Sequence, residues 1–385
     1  MKTGSKVLSV FITISMILSI STFYASAAEM PVKVNAKAAV LMDQTSGKVL
    51  MAMNENEKVY PASVTKIMSL LLVTEALDSG KIELSDKVRA SRDAIAKGGS
   101  QIWLKENEEM TVDELLKAAA IFSANDACTA LGEYVAGSEA GFVAMMNERA
   151  QELGMQNTSF ENCTGLDDTT TNHYTTAYDI ALMSRELLNH DVIIKYTTVW
   201  MDSLRGGKTQ LVNTNKLVRF YQGTTGLKTG TTSKAGNCVS ASAKRGNTHL
   251  IAVVMGAGSS DDRFNGAKAM LNWGFSNYST IQPKIDPSLI TKVNILHGTE
   301  KSIMPKIPDA ISVLIENNKK KNLTQKVNLA IDVEAPVEKD QVLGTVEFLV
   351  DGQKIAEYNL TADKAVPRLN FADALEILLR SIGRK

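Results

Sequence analysis

Apolar and polar positions alternate at the two ends of the first three quarters of the chain and follow a helical period between them. "KAAVLMDQTSGKVLMAMN", residues 37–54, predicts two strands joined by a turn at Ser46-Gly47. From Ser63 to about His190 the pattern is mostly helical. Capping signals punctuate it: Thr111 with Glu114, Ser138 ahead of "EAGFVAMMNERAQELG", and Thr176 with Asp179. "GNCVSASAKR", a Gly246-Asn247 turn and "THLIAVVMGA" then predict a hairpin, followed by a helix over about 262–275. Strands at both ends of a helical stretch imply one antiparallel sheet that closes after a helical lobe, an α+β arrangement.

The pattern changes near "YSTIQPKIDPS", residues 278–288. Short alternating runs such as "TVEFLV", an Asp351-Gly352 turn and a Lys319–Lys321 loop predict a small β-rich domain. The last stretch, 368–385, places Phe371, Leu375, Leu378, Leu379 and Ile382 on one helical face. Arg368, Arg380, Arg384 and Lys385 flank it, the pattern of a helix lying in a membrane surface. At the other end, Lys2 and Lys6 precede an apolar run that finishes in "ASAAE", which reads as a secretory signal peptide. The expected organisation is a signal peptide over 1–28, a catalytic domain over 29–279, a β-rich domain over 280–367 and an amphipathic anchoring helix over 368–385. The expected location is the outer face of the cytoplasmic membrane.

Composition narrows the chemistry. With 44% hydrophobic and 22% charged residues the chain is an ordinary globular protein, and 42 basic side chains cancel 42 acidic ones, so no nucleic-acid partner is expected. Cys128, Cys163 and Cys238 are too few and too scattered for a disulfide framework or a zinc site. They are read as small buried side chains, and no metal or cofactor is expected.

One polar feature stands out in the most apolar helix. "PASVTKIMSLLLV", residues 61–73, puts Ser63 and Lys66 on one face just where the chain becomes apolar all round. Desolvation and the positive end of the helix dipole both lower the pKa of such a lysine, which suits it to take a proton from a serine hydroxyl. Alone, Ser-x-x-Lys fits a lysine whose stem lies along the surface better than a catalytic one. Two further motifs follow in order: "SAND", with Ser123 and Asn125, and "KTG", Lys228-Thr229-Gly230, just before the hairpin. A second Lys-Thr-Gly lies at positions 2–4 inside the expected signal peptide, so context and not the tripeptide carries the argument. Among four histidines none belongs to a Gly-x-Ser-x-Gly elbow, and a lysine base is what is left. His173, in the polar run "TNHYTT", is read as a solvated loop histidine.

This set of motifs resembles that of the active-site-serine penicillin-recognising enzymes. More narrowly, the chain from Glu29 on is similar to the serine-type D-alanyl-D-alanine carboxypeptidases, the low-molecular-mass penicillin-binding proteins. "GGSQIWL" at 98–104 and "TGLDD" at 164–168 add to the likeness. The resemblance implies a β-lactamase/transpeptidase-like catalytic domain. It implies that Ser63 attacks a peptidoglycan stem peptide between its terminal D-alanines, with Lys66 as base. Ser123 would relay the proton near Lys228, and Asn125 would bind the substrate amide. Gly230 would leave the strand edge open to the substrate backbone, the N–H groups of Ser63 and Thr231 would form the oxyanion hole, and Thr229 and Arg263 would hold the terminal carboxylate. β-Lactams are the implied covalent inhibitors. A β-lactamase, with Glu161, Asp167 or Asp168 activating water, and a stem-peptide sensor without turnover are the alternatives.

Overall fold

The computed structural model describes residues 31–372 and 375. The signal peptide expected over 1–28, and residues 373–374 and 376–385 of the expected terminal helix, lie outside the described residues.

The strands at the two ends of the catalytic region meet in one sheet. β1 (Ala38–Asp43) turns into β2 (Val49–Met53), and β3 (Thr224–Thr232), β4 (Gly236–Arg245) and β5 (Thr248–Ala257) complete it in the order β2-β1-β5-β4-β3. Every neighbouring pair is antiparallel. Every residue of β1 is buried because both sheet faces are covered. Ala38, Val40 and Met42 face the core of the helical lobe, while Ala39 and Leu41 face the helix Ser260–Asn277, as the two-residue period of a strand requires. β3 lies at the sheet edge, with one side open.

The helix that carries Lys66, α1 (Lys66–Asp78), runs through the middle of the lobe, and Ile67, Met68, Leu70, Leu71, Leu72 and Val73 are all buried. Burial of these six side chains is worth roughly 9–18 kcal/mol at about 1.5–3 kcal/mol each. That exceeds the several kcal/mol it costs to take one ammonium group out of water. The greasy stretch therefore pins a charge where it would not otherwise stay.

The caps form as the sequence indicated. Thr111 and Glu114 make a reciprocal capping box, and Ser138 and Thr176 accept the backbone N–H groups of Gly141 and Asp179. Two short antiparallel pairs were not foreseen: Lys87–Arg89 with Glu109–Thr111, and the hairpin Met201–Leu204 with Thr209–Val212. Strands this short leave too little alternation to read. Residues 153–176 interrupt the mostly helical stretch with loops, among them the polar run around His173.

After the Ser260–Asn277 helix, Tyr278–Ile281 pairs with Val313–Glu316 and leads into a β-rich region. Its main sheet joins Pro305–Lys306, Gln353–Ala362, Val342–Val350 and Leu323–Leu329. At the end of the described chain Phe371 and Leu375 are exposed. Among the described residues no helix is long and apolar enough to cross a membrane.

Candidate active site

Pro61 precedes a single 3-10 turn, Ala62–Thr65, that runs directly into α1 and presents Ser63 beside the sheet. Ala62 has φ 47°, a strained value for a residue with a Cβ. The loop behind it is built to match: a Cβ on Gly165 would come within 1.8 Å of the Ala62 carbonyl oxygen, so only glycine lets that loop close on the turn. Lys66 is fully buried. Its Nζ donates to Ser63 Oγ (3.0 Å), Asn125 Oδ1 (2.5 Å) and the Thr164 carbonyl (2.8 Å). Burial lowers its pKa to about 8.

Ser123 arrives on the other side of the cleft. A wider π-helical turn, Ala118–Phe122, leads into Ser123, which takes a left-handed conformation (φ 67°) before the helix Asn125–Ala136 begins. Ser123 therefore ends one helix in strain rather than capping the next. Lys228 Nζ donates to Ser123 Oγ (2.8 Å) and to the Thr229 carbonyl (3.1 Å). Burial, reinforced by the nearby charge of Lys66, pushes the Lys228 ammonium well below its ordinary pKa. Asn125 links the two halves: its Oδ1 accepts from Lys66, while Nδ2 donates to the Gly98 carbonyl (2.6 Å) and keeps a second proton for a ligand.

The edge strand β3 supplies the third wall. An added Cβ on Gly230 would sit 2.9 Å from the Ser63 nitrogen and 3.0 Å from the Pro61 carbonyl oxygen. Glycine is thus needed first to let the strand approach the serine turn, a reason that differs from the open edge inferred from sequence. Thr229 Oγ1 donates to Thr214 Oγ1 (2.7 Å), and Thr231 is exposed. Arg263, largely buried, donates through Nη1 to the Gly230 carbonyl (3.0 Å), Thr231 Oγ1 (2.9 Å) and the Cys238 carbonyl (3.2 Å). Its positive charge stands behind Thr231.

Several contributors were invisible or misread in the sequence. The Thr164 contact uses a backbone carbonyl, which no side-chain motif reports. Asp167 accepts from Thr232 Oγ1 (2.5 Å), and its carbonyl accepts from Lys234 Nζ (2.6 Å), tying the "TGLDD" loop to the end of β3. His173 is not a solvated loop residue. It is buried, its Nδ1 accepts from the Glu161 N–H (3.0 Å), and its Nε2 therefore donates to Thr65 Oγ1 (2.9 Å), bracing the serine turn from behind. Burial pushes its pKa down to about 4. The three cysteines are free and buried, as read. Among the described residues no carboxylate is hydrogen-bonded to Ser63 or Lys66. Glu161 is occupied by the N–H groups of Thr171 and Asn172 (2.9 and 3.0 Å), and Asp167 by Thr232.

A serine turn backed by a buried lysine, a second serine–lysine pair and a strand edge on an antiparallel sheet define an active-site-serine penicillin-recognising protein. Residues 24–259 match the family model described as D-alanyl-D-alanine carboxypeptidase, and residues 278–368 match penicillin-binding protein 5, C-terminal domain. The chain belongs to the D-alanyl-D-alanine carboxypeptidase family. It is 44% identical to D-alanyl-D-alanine carboxypeptidase DacF of Bacillus subtilis, over 90% of this chain and 89% of that one. It is 38% identical to DacC of Escherichia coli, over 86% of this chain and 85% of that one. Among solved structures, penicillin binding protein 5 from Haemophilus influenzae superposes with a TM-score of 0.78 at 32% identity, covering 88% of this chain and 99% of that one. Penicillin-binding protein D2 from Listeria monocytogenes in its ampicillin-bound form gives 0.58 at 31%, covering 63% of this chain and 99% of that one.

Proposed function

We propose that Ser63 is the nucleophile of a serine DD-carboxypeptidase that trims the terminal D-alanine from peptidoglycan stem peptides. The observation that carries this reading is the buried Lys66 ammonium held 3.0 Å from Ser63 Oγ. After losing one proton, Lys66 takes the Ser63 proton as Oγ attacks the carbonyl carbon between the two D-alanines. The backbone N–H groups of Ser63 and Thr231 hold the oxyanion. Ser123, polarised by Lys228, passes a proton to the leaving amine as the C–N bond breaks and regains one from the Lys66 ammonium, which returns Lys66 to its neutral form. D-Alanine departs, water hydrolyses the acyl-serine, and the shortened peptide leaves. Asn125 orients Lys66 and offers its remaining N–H to the substrate amide. Thr229 and Thr231, with the Arg263 charge behind them, receive the terminal carboxylate. A β-lactam, whose strained amide mimics the scissile bond, acylates the same serine, in line with the ampicillin-bound state of the Listeria relative.

The test is D-alanine release from diacetyl-L-Lys-D-Ala-D-Ala. Release by the wild-type protein and none by Ser63→Ala supports the reading. Penicillin labelling without D-alanine release favours a sensor, and rapid penicillin hydrolysis without peptide cleavage favours a β-lactamase.

The export signal and the amphipathic pattern of residues 368–385 support an exported enzyme held peripherally on the membrane's outer face. Removing 368–385 would move it to the soluble fraction, and an unchanged membrane fraction would refute the anchor.

A further inference from the structure

A cavity of about 780 Å³ lies along the 98–105 loop, and the reaction above uses none of its lining. It lies between the 98–105 loop and the Met201–Leu204/Thr209–Val212 hairpin, with Phe122, the residue just before Ser123, in its wall. On its lip stands Trp103, 74% exposed and with φ 57°. A bulky aromatic residue in the left-handed region is a rare and strained choice, and an indole left in water gives up the burial that usually rewards it. The conformation is imposed from inside. The fully buried Asp126 carboxylate accepts the N–H groups of Ile102 (3.2 Å) and Leu104 (3.0 Å), the two residues that straddle Trp103. Asp126 directly follows Asn125, so the backbone at Trp103 is fixed relative to the proposed catalytic groups.

The opposite wall is built as firmly. Arg205 donates to the Ile102 carbonyl (2.8 Å) and to Thr209 Oγ1 (2.9 Å), stapling loop to hairpin, while Glu108 neutralises it at 2.7 Å. That leaves Lys105 and Lys208, both exposed, as the positive groups on the rim, and neither forms an ion pair among the described residues. An exposed aromatic side chain under a positive rim, on a loop whose Ser100 carbonyl accepts the Asn125 N–H (2.6 Å), suits an extended chain with alkyl and carboxylate parts.

We propose that this trough is the subsite for the peptide arm preceding the scissile bond. Trp103 packs against the alkyl part of that arm, and Lys105 and Lys208 favour an arm that bears a carboxylate. The inference rests on the carboxypeptidase reading, because it needs a peptide whose carbonyl reaches Ser63.

The test compares D-alanine release from diacetyl-L-Lys-D-Ala-D-Ala and from the analogue whose Nε carries succinyl instead of acetyl. Acylation by 6-aminopenicillanic acid, which has no arm, reports on Ser63 alone. The wild-type protein should prefer the succinyl peptide by about threefold to tenfold in kcat/KM at low salt, and less at high salt. The double variant Lys105→Glu/Lys208→Glu should abolish or invert that preference. Trp103→Ala should raise KM for both peptides about tenfold or more, with kcat changed far less, and Trp103→Phe should restore most of the loss. The loss in Trp103→Ala should be at least fivefold larger for the peptides than for 6-aminopenicillanic acid. Equal losses on all three substrates would mean that Trp103 only supports the SAND turn, and unchanged KM values would mean that the arm lies elsewhere. Either result overturns the proposal. Failure of the wild-type protein both to release D-alanine and to be acylated would instead overturn the carboxypeptidase reading, and the subsite with it.

Discussion

Of the three groups that accept a proton from Lys66 Nζ, only Ser63 can return one. Asn125 Oδ1 and the Thr164 carbonyl are acceptors in every protonation state, whereas the Ser63 hydroxyl donates as readily as it accepts. Removal of one proton from Lys66 therefore reverses a single bond, the one to Ser63, and leaves the lysine held by the other two.

The pH dependence follows from that relationship. With the Lys66 pKa lowered to about 8, only about a tenth of the molecules carry the neutral amine at pH 7. The rate constant for penicillin acylation should rise close to tenfold per pH unit up to about 8 and then level off. A profile flat between pH 6 and 9 would remove Lys66 as the base.

Ser123 separates function from stability. Its left-handed backbone costs about 1 kcal/mol or more for a residue with a Cβ. Ser123→Gly should keep or slightly raise the melting temperature while slowing D-alanine release by roughly 10²–10⁴, the usual worth of a positioned proton-transfer group. Near-wild-type turnover in this variant would exclude the hydroxyl from the relay.

Gly230→Ala tests the packing of the strand edge on the serine turn. The new methyl would press on the Ser63 nitrogen, the Pro61 carbonyl oxygen and the Ala62 side chain at about 3 Å. Strand or turn must shift by several tenths of an ångström, and acylation should fall on the order of 100-fold. Unaltered acylation would show that this contact has slack.

His173 makes the lobe sensitive to acid. Its folded pKa of about 4 lies below the unfolded value near 6.5, so between these values the unfolded chain binds the extra proton. Its contribution is complete above about pH 6.5 and is lost as pH falls toward 4, by up to about 3 kcal/mol. Denaturant unfolding across that window should show a steeper acid loss in the wild type than in His173→Gln, and equal slopes would contradict it.

What could be read from sequence followed from what each residue contributes. The groups proposed for Ser63, Lys66, Ser123, Asn125 and Lys228 are side chains within short motifs, and those motifs stood in order along the chain. The strands β1, β2, β4 and β5 and the caps at Thr111, Ser138 and Thr176 were legible because alternation and hydrogen-bonding side chains are local. The Thr164 carbonyl was not, because a backbone group leaves no compositional trace. His173 was misread because its sequence neighbours are polar, while the groups that bury it, Thr65 and Phe160, come from elsewhere in the chain. The need for Gly230 was seen, but its reason depends on a turn more than 160 residues away in sequence.

The central claim, that Ser63 is the nucleophile activated by Lys66, is tested most directly by mapping the covalent adduct. The protein is incubated with benzylpenicillin at pH 8, quenched in acid, digested and analysed by mass spectrometry. The account predicts one penicilloyl group, on Ser63, in the wild-type protein, none in Ser63→Ala, and strongly slowed formation in Lys66→Ala. An adduct on any other residue, or labelling of Ser63→Ala at the wild-type rate, would contradict it.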